Sequence, residues 1–98
     1  MEVTKTLEGS TLTLVVSGRV NTSTAPDFEN ALIPSLDGID LLVLDFDNLE
    51  YISSAGLRVI LSAQKIMNRQ GKMVLHNVKP QINEVFEMTG FSDFLTIE

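Results

Sequence analysis

Asn48-Leu49-Glu50-Tyr51-Ile52-Ser53-Ser54-Ala55-Gly56-Leu57-Arg58-Val59-Ile60-Leu61 is the stretch whose reading decides the fold. Just before it, Leu41-Leu42-Val43-Leu44-Asp45-Phe46 is a short apolar run. A run of that length bounded by Asp and Asn predicts a buried strand. From its second half onward, Leu57, Ile60, Leu61, Gln64 and Met67 recur at helical spacing, and Gly71 stops the pattern. Ser53 and Ser54 therefore fall where a helix begins after a strand. The first amides of a helix have no internal partner and carry partial positive charge. A hydroxyl there can cap the helix, and an added phosphate can be held by the free amides. Ala55 and Gly56 place no bulk beside Ser54.

Toward the N-terminus, Val3 to Leu7 and Thr11 to Ser17 read as two strands joined through Glu8-Gly9-Ser10, a hairpin with one half-buried face. Gly18-Arg19-Val20-Asn21 follows, and Thr22-Ser23-Thr24 reads as a loop ending in a helix cap. Thr24 with Asp27 three residues on predicts a capping box, and Pro26 is tolerated in a first turn. Ala25, Phe28, Leu32 and Leu36 share one helical face. Pro34 clashes with a straight helix, so a kink or an early end is expected there. Toward the C-terminus, Lys72 to Asn77 is a further strand. Lys79-Pro80 opens a last helix with Ile82, Val85, Phe86 and Thr89 on one face, Gly90 ends it, and Thr96-Ile97-Glu98 reads as an edge strand. Met67, Met73 and Met88 read as core fillers.

The resulting order is β-β-α-β-α-β-α-β, an α/β chain with a small mixed sheet and helices packed on it, in a single domain over residues 1–98. Strand-helix-strand successions require right-handed parallel crossovers. Functional sites of open α/β sheets gather outside the carboxyl ends of the strands. The Asn21 loop and the Ser53–Ser54 turn should then share one rim.

Composition narrows the chemistry. The 98 residues carry 13 acidic and 7 basic side chains, a formal net charge of −6, which argues against nucleic-acid binding. With no cysteine there is neither a disulfide framework nor a thiolate metal site, in keeping with a reducing compartment. The first residues contain no signal-sequence pattern, and no apolar run approaches spanning length; the expectation is a cytoplasmic protein without membrane insertion. His76, the one histidine, has no neighbours that mark a base or an oxyanion hole, and no Gly-x-Ser-x-Gly turn is present, so no catalytic residue is assigned and no enzyme is expected. Asp45, Asp47 and Glu50 lie close in sequence but lack a partner lysine, so they read as strand-end carboxylates and not as a metal site. No phosphate-binding glycine loop is present, and no cofactor is expected. On the residues alone, Ser53 and Ser54 are equally a simple helix cap or a regulatory site, and one serine can cap while the other is modified.

Tyr51 to Leu61, Tyr-Ile-Ser-Ser-Ala-Gly-Leu-Arg-Val-Ile-Leu, resembles the signature of the STAS domains, specifically the stand-alone bacterial anti-sigma factor antagonists. Gly18-Arg19-Val20-Asn21 resembles the family's segment before the first helix; Phe28 and Leu32 match its apolar helix positions. Asn77, Pro80, Val85, Phe86, Thr89, Gly90 and Phe91 match its closing helix and terminal turn. The resemblance covers essentially the whole chain.

It implies a binding protein. The unmodified antagonist binds an anti-sigma factor, itself a serine kinase, and releases a sigma factor for transcription. The kinase phosphorylates a serine at the helix start, the complex dissociates, and a serine phosphatase restores the active form. Aligned on Gly56-Leu57, the resemblance places the acceptor at Ser54 and a partner-binding surface over Asn21, Thr22, Ser23, Ser53, Ser54, Ala55, Gly56, Leu57 and Arg58. Ser53 stands where many members carry Asp, and Asn21 where an acidic residue is usual. Two other functions fit a STAS chain: an interaction module of a transport or scaffold complex without a phosphorylation cycle, and a nucleotide-binding sensor.

Overall fold

A computed structural model describes all 98 residues. Strand β1 (Glu2–Glu8) turns through Gly9-Ser10 into the long strand β2 (Thr11–Val20), with Glu8 opposite Thr11 and Glu2 opposite Ser17. Helix α1 (Ala25–Leu32) follows, continued by a 3-10 turn over Ile33–Leu36. Strands β3 (Leu41–Asp45) and β4 (Leu49–Ile52) lead into helix α2 (Ser54–Gln70), then strand β5 (Lys72–His76), helix α3 (Pro80–Thr89) and a 3-10 turn over Phe91–Asp93. The mixed α/β fold with its N-terminal hairpin is the one the sequence predicts.

The strands run side by side in the order β1-β2-β3-β5, antiparallel between β1 and β2 and parallel thereafter. The sequence-based order lacked β4. Strand β2 is twice as long as β3 and pairs with it only over Thr11 to Val15; its far end, Gly18 to Val20, pairs in parallel with β4. A bulge between Gly18 and Arg19 makes the transfer, and Gly18 takes the left-handed conformation, φ 86°, that such a bend requires. The Gly18 amide donates to the Asn48 carbonyl at 3.0 Å, so the incoming chain is held where β4 begins. At the other end the expected edge strand contracts to one parallel bridge, Leu75 with Ile97. Leu75 donates to Thr96 and Glu98 donates to Leu75.

Alternation on β2 and β3 sends Leu12, Leu14, Val16, Leu42 and Leu44 to one side. There they join Phe28, Leu32, Leu36, Leu57, Ile60, Met67, Ile82 and Phe86 in a single core of 24 buried residues. The α-helix ends at Leu32, and the 3-10 turn carries Pro34 without the carbonyl clash, while Leu36 still reaches the core. Met67 and Met73 fill the interior as expected, but Met88 does not: it is 79% exposed, on the outer face of α3. His76 closes β5 half-buried, its imidazole Nε2 3.2 Å from Glu98. Asp45 accepts from the Asp47 amide and the Asn77 side chain at the strand ends. No helix is long and apolar enough to cross a membrane.

Candidate functional site at the start of the second long helix

Two strand ends and two helix starts meet at one rim. Val20, the last residue of β2, accepts the Ser53 amide through its carbonyl at 2.8 Å, which ties the β4–α2 junction to the β2–α1 junction. The Asn21 loop and the Ser53–Ser54 turn therefore lie together, as parallel strands with carboxyl-end loops dictate.

Ser53 is the cap of α2. Its backbone is extended (φ −90°, ψ 173°), its carbonyl accepts from Leu57, and its Oγ accepts from the Gly56 amide at 3.3 Å. One of the orphan amides of the helix start is thus satisfied by a neutral hydroxyl. Ser54 is the first helical residue and is exposed; its own hydroxyl takes no hydrogen bond. The two adjacent serines divide the two roles that the sequence left open: one structural, one free.

The loop on the β2 side is built differently from the predicted capping box. Thr24 makes no side-chain cap bond to Asp27; its Oγ1 accepts from the Asn21 amide at 2.8 Å and donates to the Arg19 carbonyl at 2.9 Å. Asn21 Oδ1 in turn accepts from the Ser23 and Thr24 amides at 2.9 and 3.0 Å. The reciprocal box sits three residues earlier, on Asn21 and Thr24, because Asn21 is the first residue beyond the strand and carries an acceptor that reaches forward.

The face between the helices is a shallow groove. Thr22, Ala25, Pro26 and Glu29 form the α1 wall; Ala55, Arg58 and Val59 form the α2 wall. Of the residues expected at a partner surface, Thr22, Ala55 and Arg58 line the groove; Ser54, the residue before Ala55, does not line it. Ser23 is exposed, whereas Asn21 and Ser53 are half-buried with their acceptors committed to the turns. Gly56 and Leu57 are buried and offer nothing outward. The sequence reads Gly56 as keeping bulk from the outer face beside Ser54, but a β-carbon there would point inward, 2.7 Å from Ile52 Cγ1 and 2.8 Å from Val20 Cγ1.

Ala25, Pro26, Glu29 and Val59 were not foreseen at this rim, nor was the pair Arg19 and Tyr51. The Arg19 guanidinium lies 4.5 Å from the centre of the Tyr51 ring, and Tyr51 is 41% exposed. An aromatic just before the predicted Ser53–Ser54 turn was the one available signal. Neither Arg19 nor Arg58 forms an ion pair, so both remain as free cations on a chain of net charge −6. No group of three or more metal-ligating side chains gathers here or elsewhere.

A five-stranded mixed sheet with its helices on one side and a serine-capped helix at the rim defines a STAS-type regulatory domain. The STAS domain family model matches residues 2–98, and the chain belongs to that family. Among relatives, BtrV of Bordetella bronchiseptica, named for an inferred role as an anti-sigma factor antagonist, is 45% identical over 78 residues, 78% of this chain and 67% of that protein. The anti-sigma-B factor antagonist of Listeria monocytogenes is 33% identical over 88 residues, 87% of this chain and 76% of that one. Among solved structures, the anti-sigma factor antagonist SpoIIAA in its unphosphorylated form superposes with a TM-score of 0.84 at 14% identity, over 99% of this chain and 88% of that one. The phosphorylated form of the Bacillus protein superposes at 0.77, over 99% and 91%. At that identity the likeness concerns the fold.

Proposed function

We propose that this chain is an anti-sigma factor antagonist that acts by binding, and that phosphorylation of Ser54 switches it off. The observation that carries the reading is the division of labour at the rim: Ser53 Oγ is engaged by the Gly56 amide, while Ser54, the residue before groove-lining Ala55, is exposed with its hydroxyl unbonded. The named antagonists among the relatives support the class of partner.

In this reading the unmodified rim docks an anti-sigma factor that is a serine kinase, contributing Thr22, Ala55 and Arg58 from the groove, with Ser23 and Ser54 beside it. Asn21, Ser53, Gly56 and Leu57 shape that surface from beneath. The kinase transfers a phosphoryl group to Ser54, which adds a charge of roughly −1.5 to −2. The α2 amides favour that charge locally, so the antagonist keeps its fold. A partner surface shaped for a neutral hydroxyl meets bulk and charge instead, and a difference of ~1.4 kcal/mol already lowers affinity tenfold. A serine phosphatase then resets the switch. The chain itself supplies no catalytic group.

Incubation with the co-encoded anti-sigma kinase and ATP, followed by phosphopeptide mapping, tests the proposal. One phosphate on Ser54 and none on Ser54→Ala is the expected result, with Ser54→Ala still binding the kinase. A phosphate on Ser53, or none at all with the cognate kinase present, overturns it.

A further inference from the structure

The sheet has two faces, and the helices cover one. All three helices bury their apolar stripes in the core that holds Leu12, Leu14, Leu42, Leu44, Met73 and Leu75. The strand register arranges the opposite face in rows. Thr6, Thr13, Val43 and Val74 form the middle row across β1, β2, β3 and β5. Glu8, Thr11, Leu41 and Lys72 form the row at the amino end of the parallel strands; Thr4, Val15, Asp45 and His76 form the row at their carboxyl end. Val15, Leu41 and Val43 are half-buried and belong neither to the core nor to the side chains packed against it, while Val74, at the β5 end of the middle row, is itself buried. This is a patch of β-branched and apolar residues on a pleated surface, the kind that two sheets bury between them when they stack face to face.

Charge identifies the occupant. Glu8 and Lys72 end the same row on opposite edges of the sheet, and neither has an ion-pair partner within the chain. A two-fold axis parallel to the strands, between β2 and β3, lays β1 of one copy over β5 of another. Glu8 then faces Lys72 of the second copy, and the reverse pair forms at the other edge. The same operation sets Thr13 over Val43 and Thr11 over Leu41, an isologous contact in which each residue meets its counterpart twice. A two-fold across the strands instead sets Lys72 over His76. Edge-to-edge pairing through β1 is worse still, since full antiparallel overlap opposes Glu2 with Glu8 and Lys5 with itself. Asp45, in the outer row, already accepts from the Asp47 amide and Asn77, so the two rows below carry the contact.

We infer that the uncovered sheet face is a self-association surface, at which a second copy of this chain packs face to face about an axis parallel to the strands and pairs Glu8 with Lys72. Such a dimer leaves the helix side untouched. Both Ser54 rims stay free, and two antagonists arrive together at any partner that is itself paired, which raises the effective concentration of the second binding event.

Sedimentation equilibrium of the purified chain, from micromolar to millimolar concentration, decides the matter. The expected result is a monomer–dimer equilibrium that weakens with added salt. Val43→Lys abolishes it; Glu8→Lys and Lys72→Glu each weaken it by about tenfold, and the double exchange restores it to within about threefold. Circular dichroism confirms that each variant is folded, and Thr13→Lys in the same row replaces Val43→Lys if that variant does not fold. A chain that stays monomeric throughout overturns the inference. So does a dimer indifferent to the middle-row lysine, or one in which the two charge exchanges add instead of cancelling.

Discussion

The Arg19 guanidinium stacks on the Tyr51 ring at 4.5 Å, joining neighbouring residues of β2 and β4 directly beside the capped helix start. The pair holds a rigid aromatic surface and an unpaired cation at the rim of a chain that is otherwise acidic. Aromatic and arginine side chains are the residues in which binding energy concentrates. Tyr51→Ala should therefore weaken binding to the anti-sigma partner by tenfold or more, in the order of ~2 kcal/mol. It should lower folding stability by no more than about 1 kcal/mol, since the stacked pair is exposed. Titration calorimetry set beside urea unfolding separates the two quantities; equal losses in both would assign Tyr51 to the fold alone.

Ser53 and Ser54 should respond differently to the same substitution. Ser53→Ala removes the acceptor for the Gly56 amide and should cost about 1 kcal/mol. Ser54→Ala removes a hydroxyl that bonds nothing and should stay within about 0.5 kcal/mol of the parent. Urea denaturation of the two variants checks the difference, and a reversal would exchange the roles of the serines.

Ser54→Asp should be stable yet bind poorly. A carboxylate in the first turn of a helix is favourable by about 0.3–1 kcal/mol, so the melting temperature should hold or rise. Affinity for the partner should fall, although one carboxylate reproduces only part of the charge of a phosphate. An affinity equal to that of the parent chain would remove Ser54 from the docking surface.

Gly56→Ala should destabilise the fold by about 1–3 kcal/mol, because the added carbon lies within 2.8 Å of Ile52 and Val20 side chains and overpacks a closed interior. Under conditions where the variant is fully folded, its affinity for the partner should be close to that of the parent. Thermal unfolding combined with binding at low temperature measures both, and a selective loss of binding would return Gly56 to the outer surface.

Asn21→Ala should cost about 1 kcal/mol by leaving the Ser23 amide without its acceptor and the Thr24 amide with only the Asn21 carbonyl at 3.2 Å. Asn21→Asp keeps an acceptor of the same reach next to a helix start and should be neutral or stabilising. Comparing the two by urea denaturation distinguishes a cap from a residue that merely occupies the turn.

What the sequence determined by itself is what depends on neighbours along the chain. The alternation of Leu12, Leu14 and Val16, the spacing of Leu57, Ile60, Gln64 and Met67, and the Gly71 and Gly90 stops each lie within one element, and all appear where predicted. The serine pair at the start of α2 was legible for the same reason: a cap is a local event between Ser53 and an amide three residues on. Tertiary structure decided the rest. Leu49 to Ile52 shows no alternation, with only its first and last residues buried, and is a strand because the Gly18 bulge delivers the end of β2 to it. Thr24 bonds backward to Asn21 and not forward to Asp27 because the strand end sets which residue turns first. The groove exists only where α1 and α2 meet, so Pro26, Glu29 and Val59 carry no signal of it in their own surroundings. Periodicity says which face of an element is apolar. It does not say whether that face finds a neighbour, which is why Met88 on α3 and Val43 on the open side of the sheet could be placed only by the packing of the whole chain.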